Sequence, residues 1–181
     1  MLSAYFFSYL AMVNEITIFA LLDAARMGPA MEQAQLLNDD FTSLYKGRSE
    51  ALLAPFAPHL FSFTSESDLS RWFFAQGWGE AWGVFLASPA PPDELVRHFR
   101  RFLKVGLEGG NPFYLRFYDP RVLRAFLPTC DALQLRLFFG PVDYFWLEDE
   151  DPAYGAYFWL DETATLITHR VSRAELAHYF C

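Results

Sequence analysis

Cysteine is scarce: Cys130 and Cys181 are the only two in 181 residues. A pair this sparse, with no metal-ligand spacing, excludes a disulfide framework of the secreted kind and leaves two incidental thiols in a reducing compartment. Charge is scarce as well, at 20% of residues, and positive charge most of all. Fourteen Lys and Arg stand against 22 Asp and Glu, for a net charge of −8 and a pI near 4.9. Such a chain repels both a phosphate backbone and an anionic membrane surface, so neither nucleic acid nor membrane is an expected partner. No apolar run reaches the roughly 20 residues of a membrane span. The opening stretch MLSAYFFSYLAMV, Met1 to Val13, is apolar but has no basic n-region. It predicts an amphipathic or buried first helix and a cytoplasmic protein. Internal repeats and low-complexity segments are absent, which points to one continuous fold.

The familiar catalytic spacings are missing too. The chain has no G-x-S-x-G elbow, no H-E-x-x-H, no G-x-x-x-x-G-K-[ST] loop and no G-x-G-x-x-G turn. His59, His98, His169 and His178 are scattered, without the short carboxylate or cysteine spacing of a metal site. No metal or cofactor is expected, and no catalytic centre is visible in the sequence, although absence of a motif is not absence of activity. Cys130 is expected to pack as a small thiol between two helices. The run Glu148-Asp149-Glu150-Asp151 lacks the glycine and terminal glutamate spacing of a calcium loop and is expected to be a solvated acidic turn.

What the chain has in excess is apolar and aromatic bulk, 53% and 19% of residues. That excludes disorder and predicts a large core, with some rings left at the surface. Ile16 to Leu22 (ITIFALL) and Ala81 to Ala87 (AWGVFLA) are short, nearly unbroken apolar runs and predict central strands buried on both faces. Ala30 to Leu37 is helix-like. Pro92 opens a helix with Asp93 and Glu94 in its first turn and Arg100, Arg101 and Lys104 in its last. Phe113 to Tyr118 alternates and predicts a strand. Asp119-Pro120 supplies an N-cap and N1 pair for a helix that Pro128 closes. Asp131 with Gln134 predicts a capping box, and Gly140-Pro141 ends that helix. Tyr144 to Leu147, Ala156 to Leu160 and Ala164 to His169 predict strands, the last two a hairpin around Asp161-Glu162-Thr163. Ser172 begins a terminal helix. The fold class is therefore α/β, of the mixed α+β kind. It is a sheet of mixed strand directions flanked by helices, one compact domain over residues 1–181.

Three constellations bear on function. Arg97, Arg100, Arg101 and Lys104 follow helical spacing and form a basic stripe on an acidic chain. A solvated face is the plainest reading; a docking face for an acidic partner segment is the functional one. Arg116, Asp119 and Arg121 cluster at the predicted strand-to-helix turn. Asp119 is spent largely as a cap, so Asp23, at the end of the first strand, is a second carboxylate for these guanidiniums. The ion pairs among Asp23, Arg116, Asp119 and Arg121 are expected to hold the fold together. A small hydrolase or transferase site around Arg116, Asp119 and a histidine is the enzymatic alternative. Trp78 and Trp82, among Gly77, Gly79 and Gly83, are read either as a packed corner or as an exposed aromatic anchor.

A series of motifs carries the reading further. LLDAARMGP (Leu21 to Pro29), SLYKG (Ser43 to Gly47), APHL (Ala57 to Leu60), GWGEAWGVFL (Gly77 to Leu86), HFRRFL (His98 to Leu103), LRFYDPRVLRAFLP (Leu115 to Pro128) and FFGPV (Phe138 to Val142) occur in this order. Together they resemble the family of type VI secretion effector adaptor chaperones, the Tap or Tec adaptors. The resemblance is strongest over residues 16–147, and its FYDPRVL segment is the most specific piece. It implies a cytoplasmic bacterial protein that is not an enzyme. Such a protein binds a type VI effector through an N-terminal or linker segment and helps load it onto the VgrG spike with its PAAR tip. Under this reading Trp78, Trp82, Arg97, Arg100 and Arg101 are the expected partner contacts. An immunity-type protein that binds a toxin directly is the further alternative.

Overall fold

The computed structural model describes residues 16–46, 53–64, 67–105 and 113–180. The helix expected over residues 1–13 lies outside them. The apolar run that begins the described chain forms β1 (Thr17–Asp23), with every residue from Phe19 onward buried. Among the described residues it sits third in a seven-stranded sheet. The other strands are β2 (Phe41–Ser43), β3 (Pro58–Ser62), β4 (Gly83–Ser88), β7 (Tyr144–Glu148), β8 (Tyr154–Leu160) and β9 (Leu166–Ser172), in the order β2-β3-β1-β4-β7-β8-β9. A two-stranded ribbon pairs β5 (Lys104–Val105) with β6 (Phe113–Tyr114).

Every pairing in both sheets is antiparallel. The expected interleaving of strands and helices is present, but the expected mixture of strand directions is not. The two apolar strands β1 and β4 run antiparallel with Phe19 opposite Leu86 and Leu21 opposite Val84. They lack polar alternation because both faces of the sheet are covered by helices, as their expected burial on both faces requires.

Strand pleating sorts the side chains into two cores. Phe19, Leu21, Leu60, Val84, Leu86, Phe145 and Phe158 point to one face. There they meet α4 (Pro92–Arg100), α5 (Pro120–Phe126) and α6 (Ala132–Phe139). Ala20, Leu22, Phe61, Phe85, Trp146 and Tyr157 point to the other. They meet α1 (Ala24–Met27), α2 (Ala30–Leu37), α3 (Asp68–Trp72) and α7 (Arg173–Phe180). The result is a compact three-layer sandwich, helices over sheet over helices. The aromatic excess is spent inside: Phe85 stacks on Trp146 at 5.0 Å and receives the edges of Phe63 and Phe73. Each such pair adds about 0.5–1.5 kcal/mol beyond the area it buries.

The caps read from the sequence form as expected. Asp119 caps α5 with Pro120 at N1, and Asp131 and Gln134 form the reciprocal capping box of α6. The alternation of Phe113 to Tyr118 does not continue as strand. Only Phe113–Tyr114 pairs, and the chain turns at once, with the Asp119 amide donating to the Arg116 carbonyl at 2.9 Å. After α3 the helix loosens into a π-turn, Phe73–Gly77. Glycine is required at its end, because a Cβ on Gly77 would lie 2.4 Å from the Trp82 ring.

Candidate partner-binding surface

Two ion pairs join buried carboxylates to half-exposed guanidiniums. The pleat of β1 turns Asp23 to the same side as Phe19 and Leu21, where its side chain is fully buried. It caps α1 by accepting from the Ala25 amide at 3.0 Å, and its other oxygen accepts from the Arg116 guanidinium. That hydrogen bond raises the Arg116 pKa against the opposing effect of burial. Asp119, also buried, accepts from the Arg121 amide at 3.0 Å and from Arg121 Nε and Nη2 at 3.0 and 2.6 Å. Burial opposes its charge, but the Arg121 hydrogen bonds outweigh burial and hold the carboxyl below its ordinary range. Tyr118 is buried beside them and hydrogen-bonded to Tyr45. Burial, foremost, pushes its phenol far above the usual value. Asp23 and Arg116 thus tie β1 and α1 to the entry of α5, while Asp119 and Arg121 fix that entry locally.

The same geometry bears on the enzymatic alternative. Asp119 spends both oxygens on Arg121 and its own helix cap, and Arg116 is engaged by Asp23. Of the described histidine side chains, His59 lies on β3 two residues from Phe61, on the opposite face of the sheet, and its Nδ1 meets the Ala57 carbonyl at 2.9 Å. His98 is held by α6, and His169 is exposed on β9. These three histidines, Arg116 and Asp119 are not assembled into one centre. Among the described residues no group of three His, Cys, Asp or Glu side chains is placed to hold a metal, and no helix is long and apolar enough to cross a membrane.

The basic stripe on α4 divides. Arg97 is exposed and touches only the Asp93 carbonyl, at 3.2 Å. Arg100 folds inward: its Nε donates to the Leu44 carbonyl at 2.9 Å and its Nη2 to the Ser43 carbonyl at 3.0 Å. Arg100 is therefore a tether for the segment after β2, which corrects its expected role as a partner contact. Arg101 is exposed and donates through Nη2 to His98 Nδ1 at 2.6 Å. Lys104 sits over the Tyr114 ring at 5.6 Å.

His98 is buried with Nε2 2.7 Å from the Phe138 carbonyl. A carbonyl only accepts, so Nε2 carries the proton and Nδ1 is left to accept from Arg101; the ring is neutral. Burial lowers its pKa, outweighing the carbonyl bond. The ring lies against Gly140 at the end of α6, where φ is +53° and a Cβ would fall 2.2 Å from His98 Cε1. Glu94, Arg97, His98, Arg101, Gly140 and Pro141 line an open depression of about 620 Å³ here.

The tryptophan corner is packed. Trp78 is buried, stacked on Phe74 at 5.3 Å, with its indole N–H donating to the Pro152 carbonyl at 2.9 Å. Trp82 is half-buried against Trp72 at 5.2 Å and the edge of Phe73. The exposed-anchor reading of Trp78 is overturned, because its stacking and hydrogen bond occupy the ring and its polar tip together. The acidic run is corrected as well. Glu148 is buried and accepts from the amides of Gly79 at 2.6 Å and Ala81 at 2.8 Å, clamping the loop between Trp78 and Trp82. Burial raises its pKa, partly offset by those amides. Asp149 pairs with Arg170 at 3.1 Å, and Glu150 and Asp151 remain exposed.

Sequence reading passed over two residues that the structure puts in view. Leu133 and Leu137 are 67% and 57% exposed on α6, opposite the buried Leu135, Phe138 and Phe139. The helical spacing of these five residues was the available signal.

Fold and surface together define a mixed α/β protein with an antiparallel sheet between two helical layers. The family model described as a domain of unknown function, DUF4123, matches residues 18–137, well over half of the chain. The chain belongs to the DUF4123 family. The match runs from β1 to near the end of α6 and leaves β7, β8, β9 and α7 outside. No curated protein and no solved structure matches this chain.

Proposed function

We propose that this chain is a non-enzymatic adaptor that captures a type VI secretion effector in the cytoplasm and promotes its loading onto the VgrG/PAAR spike. The observation that carries the proposal is the ordered series of motifs that resembles the Tap or Tec adaptors. Nearly all of it falls inside the DUF4123 match, and the motif Leu115 to Pro128, which contains the most specific piece FYDPRVL, builds the Arg116 and Asp119 junction.

The mechanism is non-covalent. A sandwich with two full cores, held at one edge by ion pairs to buried carboxylates, presents a rigid scaffold, and rigid surfaces lose little entropy on binding. Capture then falls to side chains that the fold leaves exposed, Leu133 and Leu137 of α6 and Arg97 and Arg101 at the end of α4. No cofactor takes part.

The test is co-purification of the tagged chain from its native cells, in low and in moderate salt, with identification of what accompanies it. Recovery of a large effector or a spike component supports the adaptor reading, and release by salt supports an electrostatic share in capture. Recovery of neither, from cells that express the secretion genes, overturns it.

A further inference from the structure

The arginines of this chain are unevenly satisfied. Arg71, Arg116, Arg121, Arg124 and Arg170 each lie within 4.0 Å of a carboxylate. Arg26, Arg100 and Arg173 donate to backbone carbonyls of distant segments. Arg97, Arg101 and Arg136 do neither: among the described residues none has a carboxylate partner. Arg97 contacts only its own helix, and Arg101 spends its bonds on His98. All three are exposed. They lie on α4 and α6, which meet where His98 packs on Phe138 and Gly140.

Two exposed leucines lie on the helix that ends at this junction. Leu133 and Leu137 are one turn apart, and Gly140 follows after three more residues, so the outer face of α6 leads to the depression, where the two guanidiniums of Arg97 and Arg101 outnumber the single carboxylate of Glu94. On the other side of the helix Leu135, Phe138 and Phe139 already fill the core. Leu133 and Leu137 are not part of either core and leave most of two large apolar side chains in water.

We infer that the outer face of α6, with the basic depression at its C-terminal end, is the docking groove for one acidic amphipathic helix of the partner. The partner's apolar residues, spaced at i and i+4, pack on Leu133 and Leu137, and its flanking carboxylates meet Arg97, Arg101 and Arg136. Charge complementarity fixes this choice: on a chain of net charge −8, Arg97, Arg101 and Arg136, none with a carboxylate partner among the described residues, stand on the two helices that carry Leu133 and Leu137 and border the depression. The same net charge disfavours an anionic membrane as the occupant. The inference rests on the adaptor reading only for the identity of the partner as an effector.

The probe is a synthetic fluorescent peptide of about 20 residues, long enough to hold a helix, with leucines at i and i+4 and glutamates on both flanks. Binding to the purified full chain is followed by fluorescence anisotropy, beside a version with lysine in place of every glutamate. The wild-type chain binds the glutamate peptide in the micromolar range at low salt and ignores the lysine peptide. Leu133→Glu/Leu137→Glu weakens binding at least about tenfold, equivalent to about 1.4 kcal/mol. Arg97→Ala/Arg101→Ala weakens it and flattens its salt dependence. Leu133 and Leu137 are exposed, so Leu133→Glu/Leu137→Glu keeps the wild-type melting temperature, whereas Arg101→Ala gives up a hydrogen bond to the buried His98, so binding by the arginine variant is read well below its own melting temperature. No wild-type binding, equal binding by the variants, or indifference to the peptide's charge overturns the inference. So does concentration-dependent self-association that Leu133→Glu/Leu137→Glu abolishes, which makes the occupant a second copy. Binding to anionic vesicles in place of the peptide overturns it also. The peptide assay needs no effector. Its failure beside intact effector capture removes the groove alone, and its success without effector capture removes the adaptor reading alone.

Discussion

The Asp23 carboxylate, wholly buried at the end of β1, receives the Arg116 guanidinium from 93 residues further along the chain, while the Arg116 side chain keeps 42% of its surface in water. The pair closes the sandwich across one helical layer. Asp23 has no route to water, so it depends on its partner more than Arg116 does.

Arg116→Ala leaves that carboxylate buried beside the Ala25 amide alone. It is expected to destabilise the fold by about 2–4 kcal/mol, below the upper range for buried pairs because Arg116 is half in solvent. Urea unfolding measures this, and Asp23→Asn/Arg116→Ala recovers part of the loss in a double-mutant cycle. Unchanged melting with loss of partner capture would move Arg116 from the framework to the binding surface.

Arg100→Ala removes the donors that hold the Ser43 and Leu44 carbonyls. The expected loss is about 1–2 kcal/mol of stability, in line with charged hydrogen bonds to partly buried groups. Peptide binding by the folded variant stays at the wild-type level, in contrast to Arg97→Ala/Arg101→Ala. Anisotropy measurements on both variants separate the tether from the surface.

His98 gives the fold an acid sensitivity of known sign. Its folded pKa lies below the ordinary 6.5, so the unfolded chain takes up a proton first as the pH falls. Stability from the neutral ring is therefore complete above 6.5 and is lost as the pH drops from there toward the folded value. Wild-type urea midpoints are expected to fall more between neutral pH and pH about 5 than those of His98→Gln, which keeps a donor for the Phe138 carbonyl but does not titrate. Equal pH dependence in the two proteins would contradict the assignment.

Gly140→Ala tests the same contact from the other side. The added Cβ meets the His98 ring at 2.2 Å, on a backbone whose φ is +53°. The loss is expected to reach about 2–3 kcal/mol, the sum of left-handed strain and overpacking. Thermal unfolding measures it directly.

Glu148→Gln loosens the clamp on the tryptophan corner, since a single amide oxygen replaces the two that accept from Gly79 and Ala81. A loss of about 1–2 kcal/mol is expected. A red shift in tryptophan emission accompanies it as Trp78 gains water, and unchanged emission would place the clamp elsewhere.

Much of the fold was legible because its signals are local. The unbroken apolar run before Asp23 announced a central strand, and Asp119-Pro120 and Asp131 with Gln134 announced their caps. β3 was not legible: PHLFS begins with proline and carries a histidine, and it becomes a strand because Phe19 to Asp23 pair with it. The surface was legible by residue type and not by direction. Arg97 and Arg100 stand one turn apart with equal claims to solvent, and only the fold brings Ser43 and Leu44 within reach of Arg100. Trp78 and Glu148 were misplaced for the same reason. Their partners, Pro152 for one and Gly79 and Ala81 for the other, are about 70 residues away and leave no trace in local spacing.

The central claim is that this chain delivers one effector rather than performing chemistry of its own. The most direct measurement compares the proteins secreted by native cells with and without the gene for this chain, with the gene restored as control. The account predicts that one effector disappears from the medium while the rest of the secretion continues, and that it returns with the wild-type chain. An unchanged set of secreted proteins, from cells shown to be secreting, would contradict the account.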